Sequence, residues 1–138
     1  MEKELLRQSF NKFLRLYFDS CKEVYEEIGL NEITNRQFYY LNQIHKNTDV
    51  TSSKLAEICK LSKPTITEII GKFIELKLAF KEQSVNDKRV SYIKLTERGK
   101  ILATSNEIES TRVTEKIMNK LDEEELGSLK DLFDKIVK

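Results

Sequence analysis

Between Thr51 and Glu75 the chain reads TSSKLAEICKLSKPTITEIIGKFIE, two helical patterns with only a tight break at Leu61-Ser62 to separate them. That break constrains the fold more than any other feature. Thr51 or Ser52 is placed to cap a short helix that carries Leu55, Ala56, Ile58 and Cys59 on one side. Ser62 is a strong N-cap for the next helix, and Pro64 falls in its first turn, where a missing N–H leaves nothing unsatisfied. The second helix turns Ile66, Ile69, Ile70 and Phe73 inward and Thr67, Glu68, Gly71, Lys72 and Glu75 outward. A short helix, a turn and a helix with a polar N-terminal half form the pattern of a helix-turn-helix.

The segment after these two helices narrows the architecture. The β-rich runs LAFKEQ and RVSYIKL flank SVNDK, whose Asn86-Asp87 favours a turn, so the segment reads as a hairpin with Asp87-Lys88-Arg89 at its tip. Upstream, TNRQFYYLNQIHK opens with a capping box, Thr34 to Gln37, so a helix starts near Asn35 with Phe38, Leu41 and Ile44 facing inward. The first helix runs from Glu2 to about Ile28 and ends at Gly29. Leu6, Phe10, Phe13, Tyr17, Cys21, Val24 and Ile28 fall along one face of it, with a second stripe of Leu5, Leu14, Phe18 and Tyr25 beside them. So broad an apolar surface on one helix points to a partner chain. Two helices close the sequence: one from Thr96 to about Lys120, and one capped by Asp122 that carries Leu126, Leu129, Leu132, Phe133, Ile136 and Val137. The expected class is mainly α with α+β character, a winged helix-turn-helix with a two-stranded wing flanked by N- and C-terminal helices.

Charge is segregated along the chain. The 138 residues sum to +1, yet residues 60–100 carry +5, residues 1–59 carry −1 and residues 101–138 carry −3. A basic module on a neutral or acidic scaffold suits a polyanionic partner. Other classes are disfavoured. No run approaches the ~18 apolar residues of a membrane span, and MEKELLRQSF lacks a signal-peptide core, so the expected location is cytoplasmic. Two distant cysteines, Cys21 and Cys59, and the single His45 offer neither a disulfide framework nor a metal cluster. The sequence contains no nucleophile, base and orienter set and no Gly-rich phosphate loop, so an enzyme is not expected, and neither is a cofactor.

The run from ITNRQFYYLNQI through TSSKLAEICKLSKPTITEIIGKFIELKLAFKEQSVNDKRVSYIKLTERGK resembles the winged-helix core of MarR-type transcriptional regulators. Leu55-Ala56, Leu61-Ser62, Pro64-Thr65, Thr67, the Asp87-x-Arg89 pair and Leu95-Thr96-x-x-Gly99 carry the likeness, which extends over essentially the whole chain. It implies a single domain over 1–138, with dimerisation helices at 1–30 and 101–138 around a DNA-binding core at 31–100. It also implies a homodimer on a pseudo-palindromic duplex, and repression relieved by a small aromatic or apolar effector or by an oxidant. Two positions depart from the pattern: Lys77, where the family usually has Gly after the recognition helix, and Glu68, where a basic or small polar residue is usual.

The candidate DNA contacts are Ser52, Ser62, Lys63, Thr65, Thr67, Glu68, Lys72, Lys81, Asp87, Lys88 and Arg89. Short hydroxyls and cations at a helix N-terminus bind phosphates and base edges. At the wing, Arg89 suits a narrow minor groove, Asp87 forks onto its guanidinium to hold its direction, and Lys88 and Lys81 add phosphate contacts. Capping explains Ser62 fully and the others only in part. Glu68 is expected to pair with Lys72 one turn on, and cytosine is its other candidate partner. Gly71 either lets the helix backbone approach DNA or is a tolerated surface position. Tyr17, Tyr25, Phe38 and Tyr39 are candidates to line an effector pocket, although core packing also accounts for such aromatics. Cys21 is read as packing, since Phe18, Val24 and Tyr25 around it would raise its pKa; the alternative is a redox-sensing thiol. Another reading keeps the same wing and helix for gripping an acidic protein partner.

Overall fold

The computed structural model describes residues 1–29 and 33–138, as seven helices and one hairpin among those residues. The order is α1 Lys3–Ile28, α2 Asn35–Lys46, α3 Ser52–Cys59, α4 Lys63–Glu75, β1 Ala79–Gln83, β2 Ser91–Leu95, α5 Glu97–Ala103, α6 Ser105–Met118 and α7 Glu123–Val137. These fall into two compact units, Met1–Val24 with Glu107–Lys138, and Tyr25–Asn106. The expected junction of terminal helix and core at residues 30 and 31 lies outside the described residues.

The helix starts follow local chemistry. Thr34 and Gln37 form the reciprocal capping box of α2, and Asp122 with Glu125 forms another for α7. Thr51 caps α3, Ser62 caps α4 and Thr96 caps α5, each through its side-chain oxygen. Gly29 ends α1 with φ 69°, in the left-handed region that glycine enters without steric cost.

Two other helix ends hold lysines in that region, Lys60 at φ 57° after α3 and Lys77 at φ 61° after α4. Each is the hinge of a Schellman motif. After α4, the Leu78 N–H donates to Phe73 O at 2.8 Å and the Lys77 N–H to Ile74 O at 3.0 Å. Leu78 and Phe73 are both fully buried, so the apolar contact that accompanies this motif holds Lys77 where a glycine was expected. The wing is therefore launched by the usual geometry from an unusual residue.

The Tyr25–Asn106 unit is built on one core. Leu41, Leu55, Ile66, Ile70, Phe73, Leu78, Ile93 and Leu102 are buried at its centre, with Tyr40, Ile44, Val50, Ala56, Ala79, Leu95 and Ala103 around them. Phe38 and Ile69, expected inside, are half-buried, and Tyr40 takes the interior place on α2 instead.

β1 and β2 pair antiparallel from Ala79 opposite Leu95 to Gln83 opposite Ser91. β2 also takes a bridge from Thr51 to Tyr92, and Ile93 N–H donates to Val50 O at 2.8 Å, which ties the wing to the start of α3. Its base is fixed by the Leu95-Thr96-x-x-Gly99 sequence. Thr96 donates its N–H to Leu78 O and its hydroxyl to Lys77 O, while its oxygen accepts from Gly99 N–H. A Cβ at Gly99 would overlap the Leu78 carbonyl oxygen and lie 2.9 Å from its carbonyl carbon. Only glycine lets α5 seat on the end of α4.

The single helix expected from Thr96 to Lys120 is instead two, α5 and α6, broken at Thr104. Asn42 of α2 donates its amide to Ala103 O at 3.0 Å, which withdraws that carbonyl from the helix ladder. The Thr104 hydroxyl bonds back to Lys100 O at 2.9 Å.

In the other unit, Ser20 and Val24 on α1 and Val113 on α6 are buried, and Glu23 pairs with Arg112 at 3.2 Å and Lys116 at 2.9 Å. α7 has no buried residue.

Candidate nucleic-acid interface

α4 is amphipathic in the sense its sequence requires. Ile66, Ile70 and Phe73 are buried, and Lys63, Thr65, Thr67, Glu68, Gly71, Lys72 and Glu75 are exposed. Its hydroxyls are engaged locally. Ser62 Oγ accepts from the Thr65 N–H and lies 2.8 Å from Thr65 Oγ1, and Thr67 Oγ1 donates to Lys63 O at 2.9 Å. Ser62 is a cap first, and Ser62, Thr65 and Thr67 are all exposed residues.

The wing turn lies further along the chain than Asn86-Asp87 implied, and the strands are joined by residues 84–90. The turn runs from Asp87 to Val90, with Val90 N–H donating to Asp87 O at 3.0 Å. Asp87 does three things in it. Its Oδ1 accepts from the Arg89 backbone N–H and from Arg89 Nε, both at 3.0 Å, and its Oδ2 accepts from Arg89 Nη2 at 2.9 Å. An aspartate bonding the backbone two residues on shapes the turn, and the planar guanidinium docks on the same carboxylate. That fork holds the Asp87 carboxyl below its ordinary pKa and raises that of Arg89. Ser84 N–H to Val90 O at 2.8 Å and Gln83 Nε2 to Lys88 O at 2.7 Å brace the loop.

Two concavities border α4. One, of about 350 Å³, is lined by Thr51, Ser52, Ser53, Lys63, Lys81, Arg89, Val90 and Ser91. It brings Ser52 of α3, Lys63 of α4 and Lys81 and Arg89 of the wing to one cleft, three cations over the first turn of α3. Among the described residues neither Lys63 nor Lys81 makes an ion pair. The other, of about 720 Å³, joins the start of α2 to the outer face of α4 and includes Arg36, Gln37, Thr65, Glu68, Gly71 and Lys72.

The candidate residues therefore divide. Ser52, Lys63, Lys81 and Arg89 share the first cleft; Thr65, Glu68 and Lys72 share the second; Ser62, Thr67, Asp87 and Lys88 line neither. Ser53 and Arg36 are additions that no local motif announced, and Thr51, expected only as a helix cap, also lines the first cleft. The expected pair of Glu68 with Lys72 is corrected: among the described residues Glu68 makes no ion pair. An exposed pair at that spacing contributes only about 0.3–0.5 kcal/mol, too little to hold two long side chains together.

Cys21 is half-buried in the terminal-helix unit, beside Tyr17 and Glu109. Burial raises its pKa, and the Glu109 carboxylate raises it further. The expected direction holds, with a carboxylate from α6 added to the cause. Cys59 is likewise raised by burial. Of the aromatic candidates, Tyr17 in that unit is half-buried; in the other unit Phe38 is half-buried, and Tyr25 and Tyr39 are exposed. His45 lies in the last turn of α2, at the helix end. Among the described residues no group of three His, Cys, Asp or Glu side chains is placed to hold a metal, and no helix is long and apolar enough to cross a membrane.

Residues 31–90 match the MarR family model. The chain is 26% identical over 129 residues to the uncharacterized HTH-type transcriptional regulator YhbI of Bacillus subtilis (strain 168), covering 88% of this chain and 84% of that one. Its fold is that of S. aureus MepR. The MepR structure bound to ethidium bromide superposes with a TM-score of 0.73 at 20% identity, covering 99% and 95% of the two chains. A MepR–DNA complex gives 0.68 at 21% identity, covering 93% and 94%. Residues 31–90 of this chain are thus similar to the MarR family that its own sequence pattern resembles, and the winged helix they begin is completed by β2, which ends at Leu95.

Proposed function

We propose that the chain is a homodimeric, sequence-specific DNA-binding transcriptional regulator, acting as a repressor that a small aromatic or apolar effector releases. One observation carries the DNA-binding part: Lys63, Lys81 and Arg89 converge from a helix and a wing on one cleft over the α3 N-terminus. Free N–H groups of a first helical turn and converging cations suit a phosphate. With that phosphate seated, α4 faces the major groove and the wing reaches the neighbouring minor groove. Homodimerisation is supported by the apolar side chains exposed on α1 and α7, among them Phe10, Phe18, Phe133 and Ile136. The effector part leans on MepR, which has been seen with ethidium and with DNA. Binding to a duplex measured at two salt concentrations tests the central claim. Counterion release predicts that log K falls linearly with log salt with a slope of several units. A chain that ignored duplex DNA and gripped an acidic protein would instead be an interaction module.

A further inference from the structure

We infer that Glu68 is a specificity-determining residue, whose carboxylate accepts a hydrogen bond from the N4 amino group of one cytosine in each half of the recognised duplex. The inference rests on the DNA-binding reading above and adds to it the base that the centre of α4 selects.

Glu68 sits two residues from both Ile66 and Ile70, which are buried; at about 100° per residue it stands nearly opposite the buried face. Of the cations of α4, Lys63 lies in the wing cleft, and Lys72, one turn beyond Glu68, shares with it the groove beside Arg36. Phosphates flank a major groove and base edges floor it, so the flanks meet backbone and the centre meets bases. A carboxylate is therefore where phosphate repulsion is least.

The side chain is also available. Among the described residues it has no ion pair or hydrogen bond, and it sits mid-helix, where a carboxylate has no capping role. Helical side chains lean towards the N-terminus, the end that a helix-turn-helix presents to base edges. The neighbours on that stripe are low: Pro64 lies one turn before, and Gly71, three residues after, has no atom within 4 Å of where its Cβ would be.

Chemistry then chooses the base. An ionised carboxylate only accepts. In the major groove guanine offers N7 and O6 and thymine offers O4, all acceptors that repel it. Adenine offers a donor at N6 beside an acceptor at N7. Cytosine alone presents a donor with no competing acceptor.

Selection of bound duplexes from a random pool, using residues 1–138, tests this with Glu68→Ala, Glu68→Gln and Glu75→Ala. The wild type should enrich a motif with one fixed cytosine per half-site, and changing that C·G pair to T·A should weaken it roughly tenfold or more. Glu68→Ala should lose the preference at that position alone. Glu68→Gln should move it towards adenine, which an amide can bond at N6 and N7. Glu75→Ala removes the same charge two turns further from the helix start and should keep the wild-type motif. A Glu68→Ala motif identical to wild type would overturn the inference and leave the DNA-binding reading standing. A wild-type chain that enriched no duplex at all would overturn both.

Discussion

Arg89 is held by three bonds from one aspartate, two to its side chain and one to its backbone. With 89% of its side chain exposed, the pair gains little as a surface ion pair, and its effect is on direction. The Asp87 carboxyl is depressed in the folded chain, so whatever order it gives the tip is present above the ordinary carboxylate range and is lost as pH falls through the depressed value. On the proposed duplex, Arg89→Ala should weaken binding by about 1–3 kcal/mol, more with A·T-rich flanks, whose narrow minor groove attracts a guanidinium. Asp87→Ala should weaken it less, and the double variant should match Arg89→Ala alone, as for two residues acting as one. Affinities on paired A·T- and G·C-flanked duplexes check this. Equal losses on both flanks would make Arg89 a phosphate contact, and no loss would mean the hairpin does not reach the duplex.

At the scale of elements, two glycines with opposite surroundings give a paired test. Gly99 abuts the Leu78 carbonyl that also accepts the Thr96 N–H, so an added methyl must push α5 off the end of α4. Gly71 faces open space within a helix. By chemical denaturation Gly99→Ala should destabilise the chain by on the order of 3 kcal/mol, and Gly71→Ala should stabilise it by up to about 1 kcal/mol. Equal effects would refute the close approach at the wing base. The same contrast shows what was legible in the sequence. Caps at Thr34, Ser62 and Asp122 were readable because donor and acceptor lie within one turn. The hairpin was readable from its own run of residues, whereas Lys77 stood out only as a departure from the family pattern, and its αL hinge is a finding of the structure. The break at Thr104 was not readable, because the Ala103 carbonyl beside it is bonded by Asn42, 61 residues before Ala103. Arg36 beside α4 and Glu109 beside Cys21 were hidden likewise: only the packing of distant helices brings them there. Glu68 shows a local rule failing, since spacing permits an i, i+4 pair without compelling it.

For the whole molecule, the apolar surface left over sets the expected assembly. Leu5, Leu6, Phe10 and Phe18 on α1 are each more than half exposed, and on α7 Ile136 and Val137 are 77% and 82% exposed. A soluble chain rarely leaves large apolar patches open, and a two-fold dimer covers the same patch on both copies. The charge pattern agrees: residues 60–100, which include α4 and the wing, are net positive, while residues 101–138 are net negative and so ill suited to a phosphate backbone. If α7 supplies part of the dimer surface, removing residues 122–138 should abolish the dimer in sedimentation equilibrium and leave α1 without cover. Two reading heads on one duplex bind with linked avidity, so the shortened chain should also lose about 10²-fold or more in operator affinity. Arg89→Ala would then serve as the reference, since it weakens DNA contact without touching α7 and should sediment as the intact chain does. A shortened chain that stayed folded, dimeric and tightly bound would place the dimer surface elsewhere.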